Sequence, residues 1–588
     1  MSSLIEVKNL SVEFKTDNGK VEAVRDISFN IQKGKTVGLV GESGSGKSVT
    51  ALSIMRLIPD PPGSISGGQI FMDTGQRKSN QDNEPTFSEK KEDILKLPES
   101  SMRRIRGNRI SMIFQEPMSS LNPVFTVGNQ ISEALILHRN MNKKSAWEQS
   151  IELLNQVEVD NPGERVKSYP HQLSGGQRQR VMIAMAIACN PDLLIADEPT
   201  TALDVTIQQQ IMELLMNLQK QYAMSVLFIT HNLGLIAEIA NEVLVMYKGR
   251  IVEQNTTVDI FKRPSHPYTK GLMACRPTLD KNSHRLPVIS DYMDEQGKAL
   301  NPGDKWGAKK MKSLSSKGPP LLEVKNLKKH FPLKKNVFGT PQSWIKAVDD
   351  VSFTVRKGET LGLVGESGCG KTTLGRVILR LLTATAGDIL YHGQNIMLLS
   401  RKEMQPLRRK MQVIFQDPYA SLNPRMTIGS AIMEPMIIHN LGEDKQERIK
   451  KTEQLLERVG LTGDMLHRYP HEFSGGQRQR VCIARALAVQ PEFIICDESV
   501  SALDVSIQSQ IINLLLDLQE EMELTYIFIS HDLAVVKFIS DEVCVMNKGK
   551  IIEKNTYLEI YKNPKEDYTK KLLNSIPVGI PSETSPAL

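Results

Sequence analysis

The apolar residues of this chain gather into short runs, each closed by a glycine or a polar residue. Val37-Gly38-Leu39-Val40 opens into a glycine-rich stretch followed by the helical pattern Thr50-Ala51-Leu52-Ser53-Ile54-Met55. Leu193-Leu194-Ile195-Ala196 ends at two carboxylates, and Val226-Leu227-Phe228-Ile229 ends at a polar residue and a histidine. Short apolar runs bounded in this way, alternating with helical stretches, predict buried strands of a mostly parallel sheet. The pattern then begins again with Leu361-Gly362-Leu363-Val364, Phe493-Ile494-Ile495-Cys496 and Tyr526-Ile527-Phe528-Ile529. The fold class predicted is therefore α/β, present twice. Nowhere do about 18 or more apolar residues run together, so no helix is expected to span a bilayer.

Self-comparison accounts for the doubling. Val40-Gly41-Glu42-Ser43-Gly44-Ser45-Gly46-Lys47-Ser48 returns as Val364-Gly365-Glu366-Ser367-Gly368-Cys369-Gly370-Lys371-Thr372, and Ser174-Gly175-Gly176-Gln177 returns as Ser474-Gly475-Gly476-Gln477. The two serines lie 300 residues apart but Lys47 and Lys371 lie 324 apart, so the first half carries extra length between these landmarks. That length falls before Gln115, in a polar stretch over about residues 74–91, and reads as a surface loop tolerated at small entropic cost. Residues 278–320 lack apolar periodicity and are rich in Lys, Ser, Gly and Pro, which predicts a solvated linker. The expected organisation is a unit over 1–277, a polar linker over 278–320 and a second unit over 321–588.

Gly41 to Ser48 and Gly365 to Thr372 both fit GxxxxGK[ST] between a strand and a helix, the context of a phosphate loop. The glycines Gly41, Gly44 and Gly46, with Gly365, Gly368 and Gly370, let backbone N–H groups curl round phosphates, and the helix N-terminus adds partial positive charge. Lys47 and Lys371 would neutralise the β- and γ-phosphate oxygens, and the hydroxyls of Ser48 and Thr372 would coordinate Mg²⁺. Asp197-Glu198 and Asp497-Glu498 each end an apolar run, which puts two carboxylates at the carboxyl edge of the sheet beside the loop. The aspartate can hold Mg²⁺ while the glutamate polarises water, although such a pair alone could equally be a solvated edge. The spacing strengthens the reading: 23 residues separate Ser174 from Asp197 and Ser474 from Asp497, and 33 separate Glu198 from His231 and Glu498 from His531.

With these motifs the chain resembles the ABC transporter ATPase family over nearly its whole length, the linker, the insertion and the extreme C-terminus excepted. The family signature LSGGQ stands as Leu173 to Gln177 and, with Phe473 in first place, as Phe473 to Gln477. The resemblance implies two tandem cassettes, each a RecA-like parallel-sheet core with an inserted helical subdomain. It also implies that Gln115 and Gln416 contact Mg²⁺ and the attacking water, that His231 and His531 contact the γ-phosphate, and that Asp204 and Asp504 couple two sites across an interface. Phe14 and Phe331 occupy the place where the family stacks an aromatic on adenine, or are plain core. In this family two cassettes meet head to tail, so Lys47 and Glu198 would share a site with Ser474-Gly475-Gly476, and Lys371 and Glu498 with Ser174-Gly175-Gly176. Covalent fusion would make that pairing intramolecular.

The stretch Arg263-Pro264-Ser265-His266-Pro267-Tyr268-Thr269-Lys270-Gly271-Leu272 is similar to the tail of oligopeptide, dipeptide and nickel importer ATPases. The second copy, Asn563 to Leu572, lacks the His-Pro pair. The expected function is an ATP-hydrolysing subunit of a peptide importer, with glutathione or nickel as other cargoes, ATP and Mg²⁺ as ligands, and two membrane permeases and indirectly a substrate-binding protein as partners. Docking to the permeases is expected around residues 115–174 and 416–474, where Ile131 to Leu137 could equally be core. A soluble tandem ATPase acting on ribosomes, or an exporter ATPase, is the alternative; against the former, Asn301-Pro302-Gly303 and Lys317-Gly318-Pro319-Pro320 would break a long linker helix. A content of 40% hydrophobic and 24% charged residues argues for folded domains, and a net charge of +6 is too small for this length to argue for nucleic acid. Six cysteines without a CxxC pair read as reduced thiols. Members similar to this chain include some whose cysteine-rich tail holds an iron–sulfur cluster; only Cys275 stands in the corresponding tail here, so none is expected. The N-terminus lacks the pattern of a signal peptide. The expected location is the cytoplasmic face of a bacterial inner membrane.

Overall fold

The computed structural model describes residues 3–16, 19–75, 77–79, 85–87, 91–115, 120–201, 203–278, 283–294, 296–303, 306–307, 319–335, 341–501 and 503–576. Each half is built on a six-stranded sheet. In the first half the order is Arg250–Thr256, Glu242–Tyr247, Thr36–Val40, Ser225–Thr230, Leu193–Asp197, Ile110–Ile113. All neighbours are parallel except the Arg250–Thr256 edge strand. The second half repeats this with Lys550–Thr556, Glu542–Asn547, Thr360–Val364, Thr525–Ile529, Phe493–Asp497 and Met411–Ile414.

Successive residues of the central strands serve opposite faces, which is why these runs are apolar throughout rather than alternating. Val37, Leu39, Leu193, Ile195, Leu227 and Ile229 pack into a cluster on one face. Val40, Leu194, Ala196, Val226 and Phe228 pack into another on the opposite face. The first cluster is closed by a four-stranded antiparallel sheet, ordered Gly19–Gln32, Ser3–Thr16, Gly63–Asp73, Lys91–Asp93; its counterpart contains Pro341–Arg356, Pro320–Lys335, Ala386–Tyr391 and Gln394–Asn395. These sheets were not expected from the sequence.

The second cluster continues into helices Val127–Arg139, Lys143–Gln156 and Gly175–Ile187, repeated as Ile428–Ile438, Lys445–Arg458 and Gly475–Leu487. Thr126 and Thr427 cap the first helix of each set by accepting from the N–H of Asn129 and Ser430. Of the apolar residues between Ile131 and Leu137, Ile131 and Leu135 are core, whereas Ile136 and Leu137 face out, as do Ile437 and Ile438 of the second half.

Part of the segment read as a solvated linker packs instead against both halves. Leu286 is buried in the core of the second half, where the Asn513 amide accepts its N–H at 2.9 Å and donates to its carbonyl at 2.8 Å. Arg285 pairs with Asp517 at 2.5 Å and Glu520 at 3.2 Å. Met293 joins the core of the first half, and Ile289 and Tyr292 sit over Gly271. Half of the 74–91 insertion and most of 304–318 lie outside the described residues; within the insertion, Arg77–Ser79 pairs antiparallel with Pro85–Phe87.

Candidate active site

The strand Thr36–Val40 is buried throughout and delivers the chain into the loop that precedes helix Lys47–Met55. Gly41 (φ +157) and Gly46 (φ +103) close this loop against its surroundings: a Cβ on Gly41 would strike the carbonyl of Met246, and one on Gly46 the carbonyl of Ala23. The buried Lys47 ammonium donates to the carbonyls of Gly41 and Glu42 at 2.8 Å each. Lys371 donates likewise to Gly365 at 2.7 Å and Glu366 at 3.0 Å. The hydroxyl of Ser48 donates to Asp197 at 3.1 Å, and that of Thr372 to Asp497 at 2.9 Å.

Burial pushes the Asp197 carboxyl up to about 6 against the pull of the Ser48 hydrogen bond, with Glu198 adding to the rise; Asp497 shifts the same way for the same leading reason. A buried carboxylate touching a hydroxyl is a hard-oxygen donor set that fits Mg²⁺, whose other ligands are commonly water and phosphate oxygens. Among the described residues no group of three or more His, Cys, Asp or Glu could hold a metal alone.

Glu198 and Glu498 follow the last strand residue in the left-handed region, at φ 47° and 48°. A hydrogen bond from each N–H to the next strand, to Ile229 at 2.9 Å and Ile529 at 3.0 Å, holds this uncommon conformation. Three elements converge on Glu198: the Gln115 amide donates at 3.1 Å, the Thr201 hydroxyl at 2.8 Å, and His231 Nδ1 lies 3.2 Å away. Burial would raise the Glu198 pKa, but His231, Thr201 and Lys47 outweigh it and hold the carboxyl at about 2. His231 shifts upward, burial opposing and Glu198 and Asp504 prevailing.

Around Glu498, Gln416 donates at 2.7 Å and His531 Nδ1 lies at 3.6 Å, again leaving the pKa lowered in spite of burial. Ser501 donates to the Glu498 backbone carbonyl at 2.9 Å rather than to its carboxylate, so the second hub has one donor fewer. Both acidic pairs thus sit inside a bonded network and not at a solvated edge.

The halves face each other through the segments after these hubs. Asp504 exerts its charge on Glu42, Lys47, His231 and Tyr268 of the first half, and Asp204 on Tyr568 of the second. The Ser506 hydroxyl donates to the Glu42 carboxylate across the interface. Burial and Asp504 push Glu42 up to about 7. Thr206 stands where Ser506 stands in the other half, and its buried hydroxyl has no hydrogen-bond partner, so this contact is formed at one loop only. Ser174 and Ser474 are exposed caps of their helices, accepting from the N–H of Gln177 and Gln477; Gly175, Gly176, Gly475 and Gly476 form the first turns behind them. Phe14 and Phe331 lie on the antiparallel sheets opposite Val21 and Ile345, with Lys329 4.8 Å over the Phe331 ring.

Two site residues escaped the reading of the sequence. The hydroxyls of Tyr268 and Tyr568 accept the phosphate-loop N–H of Glu42 and Glu366, at 3.1 Å each. The signal was present: these tyrosines are 300 residues apart, like the signature serines, although the flanking His-Pro is lost in the second tail. His266 caps the first tail helix by accepting from the Tyr268 N–H at 3.2 Å. Beneath both tails a strand glutamate holds the turn, Glu253 accepting from Ser265 and His266, and Glu553 from Lys565 and Glu566. That shared support is why the second tail keeps its tyrosine in place without His-Pro.

Fold and site together define a tandem phosphate-loop ATPase whose halves meet through the segments that follow their strand-end carboxylates. The chain belongs to the ABC transporter family: the family model described as "ABC transporter" matches residues 24–201 and 348–501. The model described as "Oligopeptide/dipeptide transporter, C-terminal region" matches residues 252–303 and 552–585. The glutathione import ATP-binding protein GsiA of Escherichia coli O157:H7 is 49% identical over 592 residues, which cover 99% of this chain and 91% of that protein. GsiA of Escherichia coli K12 is 49% identical over 594 residues, and that of Salmonella typhimurium LT2 is 48% identical over 587, with the same coverage of each chain. The chain is thus an ATP-binding, ATP-hydrolysing subunit that drives an ABC transporter of the oligopeptide/dipeptide group, which sets aside the ribosome-acting alternative. No helix among the described residues is long and apolar enough to cross a membrane. As the ATPase subunit of an ABC transporter, the chain works with membrane permease partners.

Proposed function

We propose that this chain energises the import of short peptides, glutathione among them, through two composite MgATP sites. The names of its relatives and the oligopeptide-type tails support import over export. Lys47 and Lys371 neutralise phosphate oxygens, while Ser48, Asp197 and Gln115, and Thr372, Asp497 and Gln416, hold the metal. Bound Mg²⁺ supplies charge neutralisation on the transferred phosphoryl group. Glu198 and Glu498, ionised and steered by Gln115 with His231 and by Gln416 with His531, accept the proton of the attacking water. Ser474-Gly475-Gly476-Gln477 completes the first site and Ser174-Gly175-Gly176-Gln177 the second, with Asp504 and Asp204 linking them. Phe14 and Phe331 carry the adenine.

The reading places the first cassette at 1–277, the joining segment at 278–320 and the second cassette at 321–588. Two permease subunits dock on the helical regions, where Leu137, Ile437 and Ile438 are exposed. A substrate-binding protein selects cargo, and the chain sits on the cytoplasmic face of the inner membrane.

The observation that carries the proposal is the pair of half-buried carboxylates, each reached by a glutamine and a histidine from separate elements. Glu198→Gln and Glu498→Gln, tested singly and together in steady-state ATPase assays, should each lower turnover, and the double variant should lower it by about 10²–10⁴-fold. A single substitution that left turnover untouched would overturn the two-site reading. Uptake of labelled glutathione and of labelled dipeptide, measured in cells with and without the chain, assigns the cargo.

A further inference from the structure

The halves differ where each tail meets the other half. The first tail helix, Pro267–Ala274, ends at Cys275 and leads to Arg276; the second, Asp567–Asn574, leads through Ser575 to Ile576. Arg276 and Ile576 both line a cavity of about 120 Å³ at the interface, together with His231, Asn232, His531 and Asp532.

Asp532 follows His531 directly and caps helix Leu533–Ile539, accepting from the N–H of Ala534 at 2.9 Å and Val535 at 3.3 Å. Its counterpart Asn232 follows His231 and caps Leu233–Ile239 by accepting from Gly234 at 2.9 Å. An amide therefore suffices for the cap, and the charge on Asp532 is surplus to it. That charge shares the cavity with Arg276. Burial pulls the Arg276 pKa down while Asp532, from the other half, and Glu238, from its own, oppose that pull. The guanidinium also packs so closely on Gly234 that a Cβ there would strike it. In the second half Ala534 replaces Gly234, and Ile576 replaces the arginine. Three positions thus differ together: Arg276, packed on Gly234, and Asp532 set opposite charges across the halves in one cavity, an electrostatic bridge, whereas Ile576, Ala534 and Asn232 set none.

We propose that Arg276 is a positioning residue that fixes the His531 segment of the second half from across the interface, so that the first tail controls hydrolysis at the second phosphate loop with no mirror-image device. The inference rests on the reading of His531 and Glu498 as parts of the second ATP site. Because the bridge spans the halves, it exists only when they are together, and it ties catalysis at that site to closure. The first site, where neutral Asn232 and Ile576 stand in the corresponding places, has no such dependence.

The test is a double-mutant cycle on the full-length purified chain, with steady-state ATP turnover as readout. Arg276→Met and Asp532→Asn should each lower kcat by about 3–10-fold at unchanged KM, and the double variant should be no worse than either single one. Arg276→Lys should restore at least half of the loss, whereas Ile576→Met should leave kcat unchanged. If the losses multiply in the double variant, or Arg276→Met leaves kcat untouched, or KM moves instead, the proposal is overturned. Melting temperatures separate a folding defect from a positioning one, and if Arg276→Met fails to fold, the cycle runs with Arg276→Lys and Asp532→Asn, where a multiplied loss again counts against the bridge. If His531→Ala leaves turnover unchanged, the reading of the second site fails, an outcome distinct from failure of the bridge.

Discussion

At the scale of single residues, the two sites share a plan and differ in detail. Glu198 and Glu498 could be picked out of the sequence because a carboxylate after an apolar strand, at a fixed distance from a serine and a histidine, recurs in both halves. Glu42 could not, since it occupies a variable position of the loop motif and its environment comes from the other half. Half-buried beside Asp504 and Tyr268, and facing Lys47 and Lys248, its carboxyl rises from the usual range to about 7. A folded-state pKa above the unfolded one means that neutral Glu42 contributes stability which is complete below pH 4.5 and is lost as pH rises through about 7. Glu42→Gln keeps an acceptor for the Ser506 hydroxyl and has no charge to bury. In the nucleotide-free chain this variant should match the wild type in melting temperature near pH 5 and exceed it by roughly 2–4 °C at pH 8. Thermal unfolding scans across this range check it, and a pH-independent difference would count against the buried charge.

At the scale of elements, the buried parallel strands were legible to within a residue or so: Val37–Val40 became Thr36–Val40, and Tyr526–Ile529 became Thr525–Ile529. The antiparallel sheets were not, because the alternation that marks a half-buried strand is interrupted. Ser3–Thr16 changes register at several points, one between Val7 and Leu10 and another between Leu10 and Val12, and each bulge resets which face a side chain takes. The tails were legible as a subgroup mark but not as part of the site, since their contact with the phosphate loop joins residues more than 200 positions apart. That contact makes a prediction. Tyr268→Phe removes the acceptor for the Glu42 N–H and leaves a donor unpaired, at a cost of about 1–3 kcal/mol. Both Tyr268→Phe and Tyr568→Phe should lower the midpoint of chemical unfolding and weaken nucleotide binding. The effect should be larger for Tyr268, which is fully buried, than for the partly buried Tyr568. Equal binding by variant and wild type would reduce the tails to docking elements with no part in the site.

At the scale of the whole molecule, the question is how two cassettes in one chain stay paired. A free tether raises effective concentration only as far as its length allows. Here the joining segment is anchored at two points, Leu286 in the second half and Met293 in the first, and a few residues of backbone bridge them. The sequence hid this because Leu286, Val288, Ile289 and Met293 follow no helical or strand period, and the segment's many polar residues include the Arg285 that pairs with Asp517 and Glu520. Anchoring on both sides holds the halves at a short fixed separation, so wild-type turnover per molecule should not change on dilution. Replacing Leu286 with Ala removes a buried side chain at a cost of about 2–5 kcal/mol, borne locally by the strap. Combined with Arg285→Ala, which removes the ion pairs, it should free the strap without touching either phosphate loop. The expected result is faster proteolytic cutting between residues 283 and 307, with turnover of the uncut chain close to wild type. Once cut, the variant should show turnover that falls on dilution, because pairing has become bimolecular. If the cut variant kept its specific activity at all dilutions, the contacts around Asp504 and Glu42 would be sufficient on their own, and the strap would be a consequence of pairing and not its cause.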